Sequence, residues 1–164
     1  MNPRVLEIPG SLIRHVASRK RATSIDLGLG EPTLLPSREH FEHAMRYVGE
    51  HGVKYTANAG DPHLREAIAR YYAYPGLAAR ANVCVTAGSQ EAMYVVLMTL
   101  LDPAHDELLV VEPAFPSYMK MAALNGVACR TVSMCDDDGF AFDAGRILAA
   151  VGEATRAIVV CSPC

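Results

Sequence analysis

From residue 82 onward, short apolar runs alternate with amphipathic stretches, and this alternation constrains the fold more than any other feature of the sequence. Apolar runs without strict alternation are typical of strands buried on both faces, and the stretches between them are long enough for helices. Strands that alternate with helices predict βαβ units in a parallel sheet covered on both faces. We therefore predict an α/β fold, a three-layer α/β/α arrangement with a mainly parallel sheet. The predicted strands are 82–86, 107–111, 127–132 and 157–160, and the predicted helices are 89–101, 117–124 and 143–151.

The residues before this region predict an arm followed by two helices. Ser37 can cap a helix that runs to about Glu50. The pair Asp61-Pro62 predicts a second helix that ends at Tyr72, because proline at the first helical position loses no needed hydrogen bond. The predicted segments are an N-terminal arm over 1–24, a segment with two helices over 25–81, and the first part of a larger domain over 82–164.

Composition limits the classes of partner. The chain has 164 residues, 51% of them hydrophobic, and its net charge of -3 with a pI near 6.0 offers no basic surface for nucleic acid. No apolar run follows the charge near the N-terminus, so no signal peptide is expected. The most apolar stretch, 92–101, is about half of the length that a membrane span needs. Five cysteines, an odd number, favour free thiols over a secreted disulfide scaffold. We expect a cytoplasmic protein.

Two loops at the carboxyl ends of predicted strands carry candidate binding residues, because ligands of such sheets bind at those ends. In the loop 87–92, backbone N–H groups and the Ser89 hydroxyl point to one spot at the positive end of a helix, which suits a phosphate. A plain turn with Ser89 as the helix N-cap explains the same residues. In the loop 112–118, prolines flank Phe115, whose ring either stacks on a planar ligand or joins the core.

Six short segments follow one another in a distinctive order, although each is loose by itself. They are Gly28-Leu29-Gly30-Glu31-Pro32; Lys54-Tyr55 with Gly60; Leu64-Arg65-Glu66-Ala67; Thr86-Ala87-Gly88-Ser89-Gln90-Glu91-Ala92; Glu112-Pro113-Ala114-Phe115-Pro116-Ser117-Tyr118; and Val159-Val160-Cys161-Ser162-Pro163. The set resembles the class I/II aminotransferases, fold-type I enzymes that depend on pyridoxal 5′-phosphate (PLP). The resemblance runs from about Ile25 to Cys164, and it implies the major domain of a PLP-dependent transferase, here incomplete.

The resemblance implies where the cofactor binds. Gly88, Ser89 and Gln90 match the family's phosphate cup, in which backbone amides at a helix N-terminus bind the PLP phosphate. Phe115 matches the aromatic residue that lies over the pyridine ring. This family more often has Tyr or Trp there, so the ring of Phe115 stacks without donating a hydrogen bond.

The resemblance also implies a homodimer and a reaction. Tyr55 matches a tyrosine that reaches across the dimer interface to the partner's PLP phosphate, and Gly30 matches a glycine beside the substrate carboxylate, where the missing side chain makes room. The implied reaction moves an amino group from an amino acid to PLP and then to a 2-oxo acid. C–S lyases, cyclopropane-forming synthases and non-catalytic binding modules share the fold, so function does not follow from fold alone.

The last residues before Cys164 read as a buried strand that enters a loop. The resemblance implies that this loop continues into an Asn-Pro-x-Gly turn, and that the Schiff-base lysine follows later. The lysines of the chain, Lys20, Lys54 and Lys120, match no such motif. We therefore expect no catalytic residue within these 164 residues and no transamination by this chain alone. The strand 82–86 is also expected to lie beside strands from later sequence.

Two other pairs of residues have a spacing that metal or dithiol sites use. Cys161 and Cys164 have the spacing of a dithiol or zinc-binding pair, but no helix follows them and no second pair completes a zinc site. His40 and His43 have helical spacing, but no third ligand is evident. We expect an exposed polar face at these histidines and no metal site.

Overall fold

The computed structural model describes residues 3–28, 30–77, 79–135, 137 and 139–162, with only the backbone for residues 79 and 80. The chain divides into two compact units. The N-terminal unit is Pro9–Cys84, and the sheet unit is Met1–Ile8 with Val85–Cys164. The elements in chain order are α1 (Pro3–Glu7), α2 (Leu12–Ala17), α3 (Arg38–His51), α4 (Pro62–Tyr72), α5 (Ala79–Asn82), α6 (Ser89–Leu100), β1 (Glu107–Glu112), α7 (Ser117–Asn125), β2 (Ala128–Ser133), α8 (Ala144–Ala150) and β3 (Thr155–Val159).

The sheet has β1 at its centre, in the order β2-β1-β3, and both pairings are parallel. Glu107 pairs with Ala128, and the register continues without a break to the end of both strands. On the other side Leu108 pairs with Ala157, after an irregularity at Glu107. The predicted parallel sheet is confirmed over these three strands.

Helices cover both faces of β1, because its side chains alternate between two buried clusters. Leu108 and Val110 pack with residues of α6 and α7 on one face. Leu109 and Val111 pack on the other face in a cluster that includes Ile147 of α8. None of these four strand residues is more than 5% exposed. The predicted three-layer α/β/α arrangement is therefore confirmed.

Local signals start the predicted helices where the sequence placed them. The Ser37 hydroxyl accepts a hydrogen bond from the His40 amide at the start of α3 (3.3 Å). At the start of α4, the Asp61 carboxylate accepts from the amides of His63 and Leu64 (2.9 and 3.0 Å). Each cap accepts hydrogen bonds from amides of the first helical turn, which have no acceptor within the helix.

The predicted strand 82–86 is wrong. Asn82 ends α5, and residues 83–86 are not a strand. A strand needs a neighbour along its length, and β2 and β3 already occupy both sides of β1. Residues 82 and 84 are exposed and residues 83, 85 and 86 are half-buried, so the apolar pattern did not report burial here.

Other differences are small. The arm over 1–24 contains the short helices α1 and α2, the latter capped by the Ser11 hydroxyl. β3 begins at Thr155, two residues before the predicted start, because Thr155 pairs with Glu107 although its neighbourhood is polar. Apolar content alone could not mark that beginning.

Candidate functional site

The amino end of α6 lies at the same edge of the sheet as the carboxyl end of β1. Leu97 and Leu101, at the end of α6 and just beyond it, share a buried cluster with Leu108 of β1, and only the turn 102–106 separates the two elements. The helix therefore runs antiparallel to the strand. The two have similar lengths, about 18 Å for α6 and about 20 Å for β1. We call this the carboxyl edge, where the parallel strands β1, β2 and β3 all end.

No side chain caps α6. Its N-cap is Gly88, with φ 84° and ψ 171°, and no side-chain hydrogen bond closes this end of the helix. Ser89 is the first helical residue, so the interpretation of Ser89 as the N-cap is wrong. The first amides of a helix lack intrahelical partners and carry the positive end of the helix dipole. A Cβ added at Gly88 would meet nothing within 4 Å, which leaves open space at this end.

The turn before α6 uses two of its own amides. The Gly88 amide donates to the Thr86 carbonyl (2.9 Å), and the Thr86 hydroxyl donates to the Gly88 carbonyl (3.0 Å). The Ala87 amide donates to the Glu91 carboxylate. The amides of Ser89 and Gln90, at the first two helical positions and in exposed residues, are in place to donate to a ligand.

Sequence reasoning missed the role of Glu91. Gly88 and Glu91 stand at the N-cap and N3 positions, the spacing at which a glutamate reaches back to the start of its own helix. That spacing was the available signal. Gly88 contributes its positive φ, which a glycine adopts without strain.

Phe115 lies in the loop between β1 and α7, within the same unit. Its side chain is 39% exposed, so it is neither buried core nor fully solvated. The ring meets Tyr118 edge to face, with centroids 5.9 Å apart and an interplanar angle of 83°. The Tyr118 amide also donates to the Phe115 carbonyl (3.2 Å). The ring is therefore supported from one side and accessible from another.

Further polar contacts join the strand ends at the carboxyl edge. The Ser133 hydroxyl, at the end of β2, donates to the Glu112 carboxylate at the end of β1 (3.3 Å). Arg146 of α8 donates to the Ser133 carbonyl (3.1 Å) and lies 2.8 Å from the Cys135 sulfur. These contacts connect β1, β2 and α8 beside the loops.

Three of the side chains with displaced pKa values lie at the opposite edge of the sheet, the amino edge, where the parallel strands begin. Hydrogen bonds from Arg130, and then from Thr155, hold the pKa of Glu107 below its ordinary value. The Ala104 amide and His105 lower the pKa of Asp102, and Asp102 in turn raises the pKa of His105. Glu107 begins β1, and Asp102 and His105 lie in the turn before it, so none of the three belongs to the candidate site.

Gly30 and Tyr55 belong to the N-terminal unit. Gly30 is exposed, and a Cβ added there would meet nothing within 4 Å. The Tyr55 side chain is fully exposed. Both residues have room for a ligand or a partner, and their roles stay predictions.

The weaker candidates gain no support. Among the described residues, no group of three or more His, Cys, Asp or Glu side chains is arranged to hold a metal ion. His40 instead has its Nδ1 atom 2.7 Å from the Ser37 hydroxyl. Cys164 lies outside the described residues, and the other four cysteines form no disulfide with one another. Within the described ranges, no helix combines the length and apolarity needed to cross a membrane.

Comparison with known proteins identifies the family. The model of the family "Aminotransferase class I and II" matches residues 22–164, most of the chain. The chain belongs to the class I and II aminotransferases. The resemblance seen in the six segments is thereby confirmed.

Named relatives of this aminotransferase chain point the same way. It is 35% identical to an aspartate aminotransferase from Pyrococcus horikoshii, over 98% of this chain and 42% of that protein. It is 32% identical to an aspartate/prephenate aminotransferase from Thermus thermophilus, over 88% of this chain and 38% of that protein. The chain thus spans less than half of the length of these relatives.

Solved aminotransferase structures share the fold of the chain. A tetra mutant of Thermus thermophilus aspartate aminotransferase, complexed with tryptophan, superposes with a TM-score of 0.84 at 30% identity, over 100% of this chain and 45% of that one. Aspartate aminotransferase from Rhizobium meliloti gives a TM-score of 0.83 at 28% identity, over 99% and 42%. The three-layer fold is therefore that of aspartate aminotransferases.

Proposed function

We propose that the protein to which these residues belong is a PLP-dependent aminotransferase that moves an amino group from an amino acid to a 2-oxo acid. The observation that carries this proposal is the uncapped amino end of α6 at the carboxyl edge, in the same unit as the exposed ring of Phe115. A phosphate and an aromatic ring are the two parts of PLP that such features suit. Family membership supports the same cofactor, since members of this family use PLP.

The residues present fit a phosphorylated aromatic ligand. Ser89 and Gln90 offer amides at the positive end of a helix dipole, and the Ser89 hydroxyl is exposed beside them. A Cβ added at Gly88 would meet nothing within 4 Å, so no described side chain crowds the backbone there. We assign phosphate binding to these three residues and ring stacking to Phe115.

Each part of the chain has a limited task in the proposed reaction. When bound, PLP supplies a carbonyl group that accepts the amino group and a ring that withdraws electrons from the reacting carbon. The residues near α6 anchor and orient the ligand, and Phe115 covers one face of its ring and excludes water there. Gly30 is proposed to leave room for the substrate carboxylate, and Tyr55 to reach the phosphate bound by a second copy in a homodimer.

Aspartate is the first amino acid to test, because relatives with 35% and 29% identity over nearly the whole chain are named for it. The experiment uses the full-length gene product, with and without added PLP. We expect PLP-dependent transfer of the amino group from aspartate to a 2-oxo acid. Release of ammonia instead of amino-group transfer would indicate a lyase. A rate of transfer that does not depend on PLP would refute the proposal.

Replacing Phe115 tests the stacking role. Phe115→Leu keeps apolar volume and removes the ring, so the Kd for PLP is expected to rise about threefold to tenfold. Phe41→Leu, at an exposed phenylalanine of α3, is the matched control and should leave the Kd unchanged. Equal Kd values for both variants and the parent would contradict stacking by Phe115.

A further inference from the structure

Glu91 fixes the turn that leads into α6. Its carboxylate, at the N3 position, accepts a hydrogen bond from the amide of Ala87, one residue before the N-cap. An N3 glutamate commonly reaches the N-cap amide. Here the Gly88 amide already donates to the Thr86 carbonyl (2.9 Å), so Glu91 accepts from the preceding amide, that of Ala87.

We propose that Glu91 is a positioning residue for the phosphate site. By holding the Ala87 amide, it fixes the turn 86–88 and leaves the amides of Ser89 and Gln90 directed outward as the donors to phosphate. This inference rests on the proposed function, because it assumes that the amino end of α6 binds the phosphate of the cofactor.

Two effects of Glu91 oppose each other, and this makes the role testable. As a hydrogen-bond acceptor, the carboxylate orders the turn and should strengthen phosphate binding. As a negative charge near a phosphate dianion, it should weaken binding. A role in positioning predicts that the first effect exceeds the second.

Three substitutions in the full-length gene product separate the two effects. Glu91→Gln keeps the reach and an acceptor oxygen but removes the charge, Glu91→Asp keeps the charge but shortens the reach, and Glu91→Ala removes both. The Kd is measured by spectroscopic titration of the apoprotein with PLP and, separately, with pyridoxal, which lacks the phosphate. Glu153→Gln removes an exposed charge in the turn before β3, at the opposite edge, and serves as the control.

If Glu91 positions the site, Glu91→Asp and Glu91→Ala weaken PLP binding about tenfold, whereas Glu91→Gln stays within about twofold of the parent. Pyridoxal binding should not change in any variant. The amide of Ala87 should also exchange hydrogen faster in the apo Asp and Ala variants than in the parent.

The contrary results are distinct. Tighter PLP binding by Glu91→Gln and Glu91→Ala, with Glu91→Asp unchanged, would show that charge alone matters and would overturn the positioning role. Equal PLP affinity in all variants, in a parent that prefers PLP to pyridoxal, would also overturn it while leaving the phosphate site intact. A parent that binds PLP and pyridoxal equally would instead refute the proposed phosphate site.

Discussion

At the amino edge of the sheet, the single carboxylate of Glu107 links three strands. Its Oε1 atom accepts hydrogen bonds from Arg130 of β2 (2.7 and 3.1 Å) and from Thr155 of β3 (3.0 Å). The side chain is 18% exposed, so water competes little for these bonds. Donors to the ionised form explain why the pKa of Glu107 is lowered.

This network predicts a dependence of stability on pH. Because the pKa of Glu107 is lower in the folded state, its contribution is present above the unfolded pKa of about 4.3 and is lost as the pH falls through the folded pKa. Glu107→Gln should lower the free energy of unfolding by about 1 kcal/mol at pH 7, since Arg130 is half exposed, and by less at pH 3. Denaturant titration at both pH values measures this.

Glu153→Gln, at an exposed glutamate of the same unit, is the control and should change stability little at either pH. A loss for Glu107→Gln that stays the same at pH 3 would contradict an electrostatic origin.

At the scale of the element, the helices that the sequence located well are those with local signals. Asp61 and Pro62 predict the start of α4, and Ser37 predicts the start of α3. These starts can be predicted because a cap depends only on residues within one helical turn. The strand expected at 82–86 would need a second strand, distant in sequence, to pair with. The local sequence pattern does not show whether such a strand is in place. The beginning of β3 at Thr155 was missed for the same reason.

The cap of α4 gives a prediction at this scale. Asp61→Ala removes the acceptor for two amides and should lower the free energy of unfolding by about 1 kcal/mol, whereas Asp61→Asn keeps most of it. His63→Ala, an exposed position on the same helix, should cost less. Thermal and denaturant unfolding of the three variants provide the measurement, and equal losses for Ala and Asn would mean that the cap is not the cause.

At the scale of the whole molecule, the topology of the sheet could be predicted from the sequence more fully than the individual contacts of the candidate site. The loop of Phe115 follows the carboxyl end of β1, where ligands of parallel sheets are expected. The loop of Ser89 was expected after the strand 82–86, which is not a strand, and it reaches the same edge because α6 runs back along β1. The spacing of Gly88 and Glu91 predicts that Glu91 reaches back to the start of α6, but the path of the turn decides that it accepts from the amide of Ala87. The roles of Gly30 and Tyr55 came from the resemblance and stay predictions.

The outer side of β3 gives a prediction for the whole chain. No described strand lies beyond β3, and Ile158 of β3 is 42% exposed. An exposed apolar edge strand favours pairing with another copy. The 164-residue chain produced alone should therefore self-associate, and Ile158→Lys should shift it toward the monomer in size-exclusion chromatography with light scattering.

Leu27→Lys is the control, since Leu27 is 92% exposed but lies outside the sheet. An equal shift for both variants would indicate a general effect of charge, and a monomeric parent would refute pairing through the edge.

The return of α6 along β1 has a consequence for synthesis on the ribosome. The proposed phosphate site and the stacking ring both come from the continuous segment 85–118, and one face of the strand between them is covered by α6 and α7, the helices on either side of it in sequence. Contacts between residues that are near in sequence form quickly, because closing a short loop costs little entropy. This cradle for the cofactor can thus take shape on the nascent chain while later residues are still being translated.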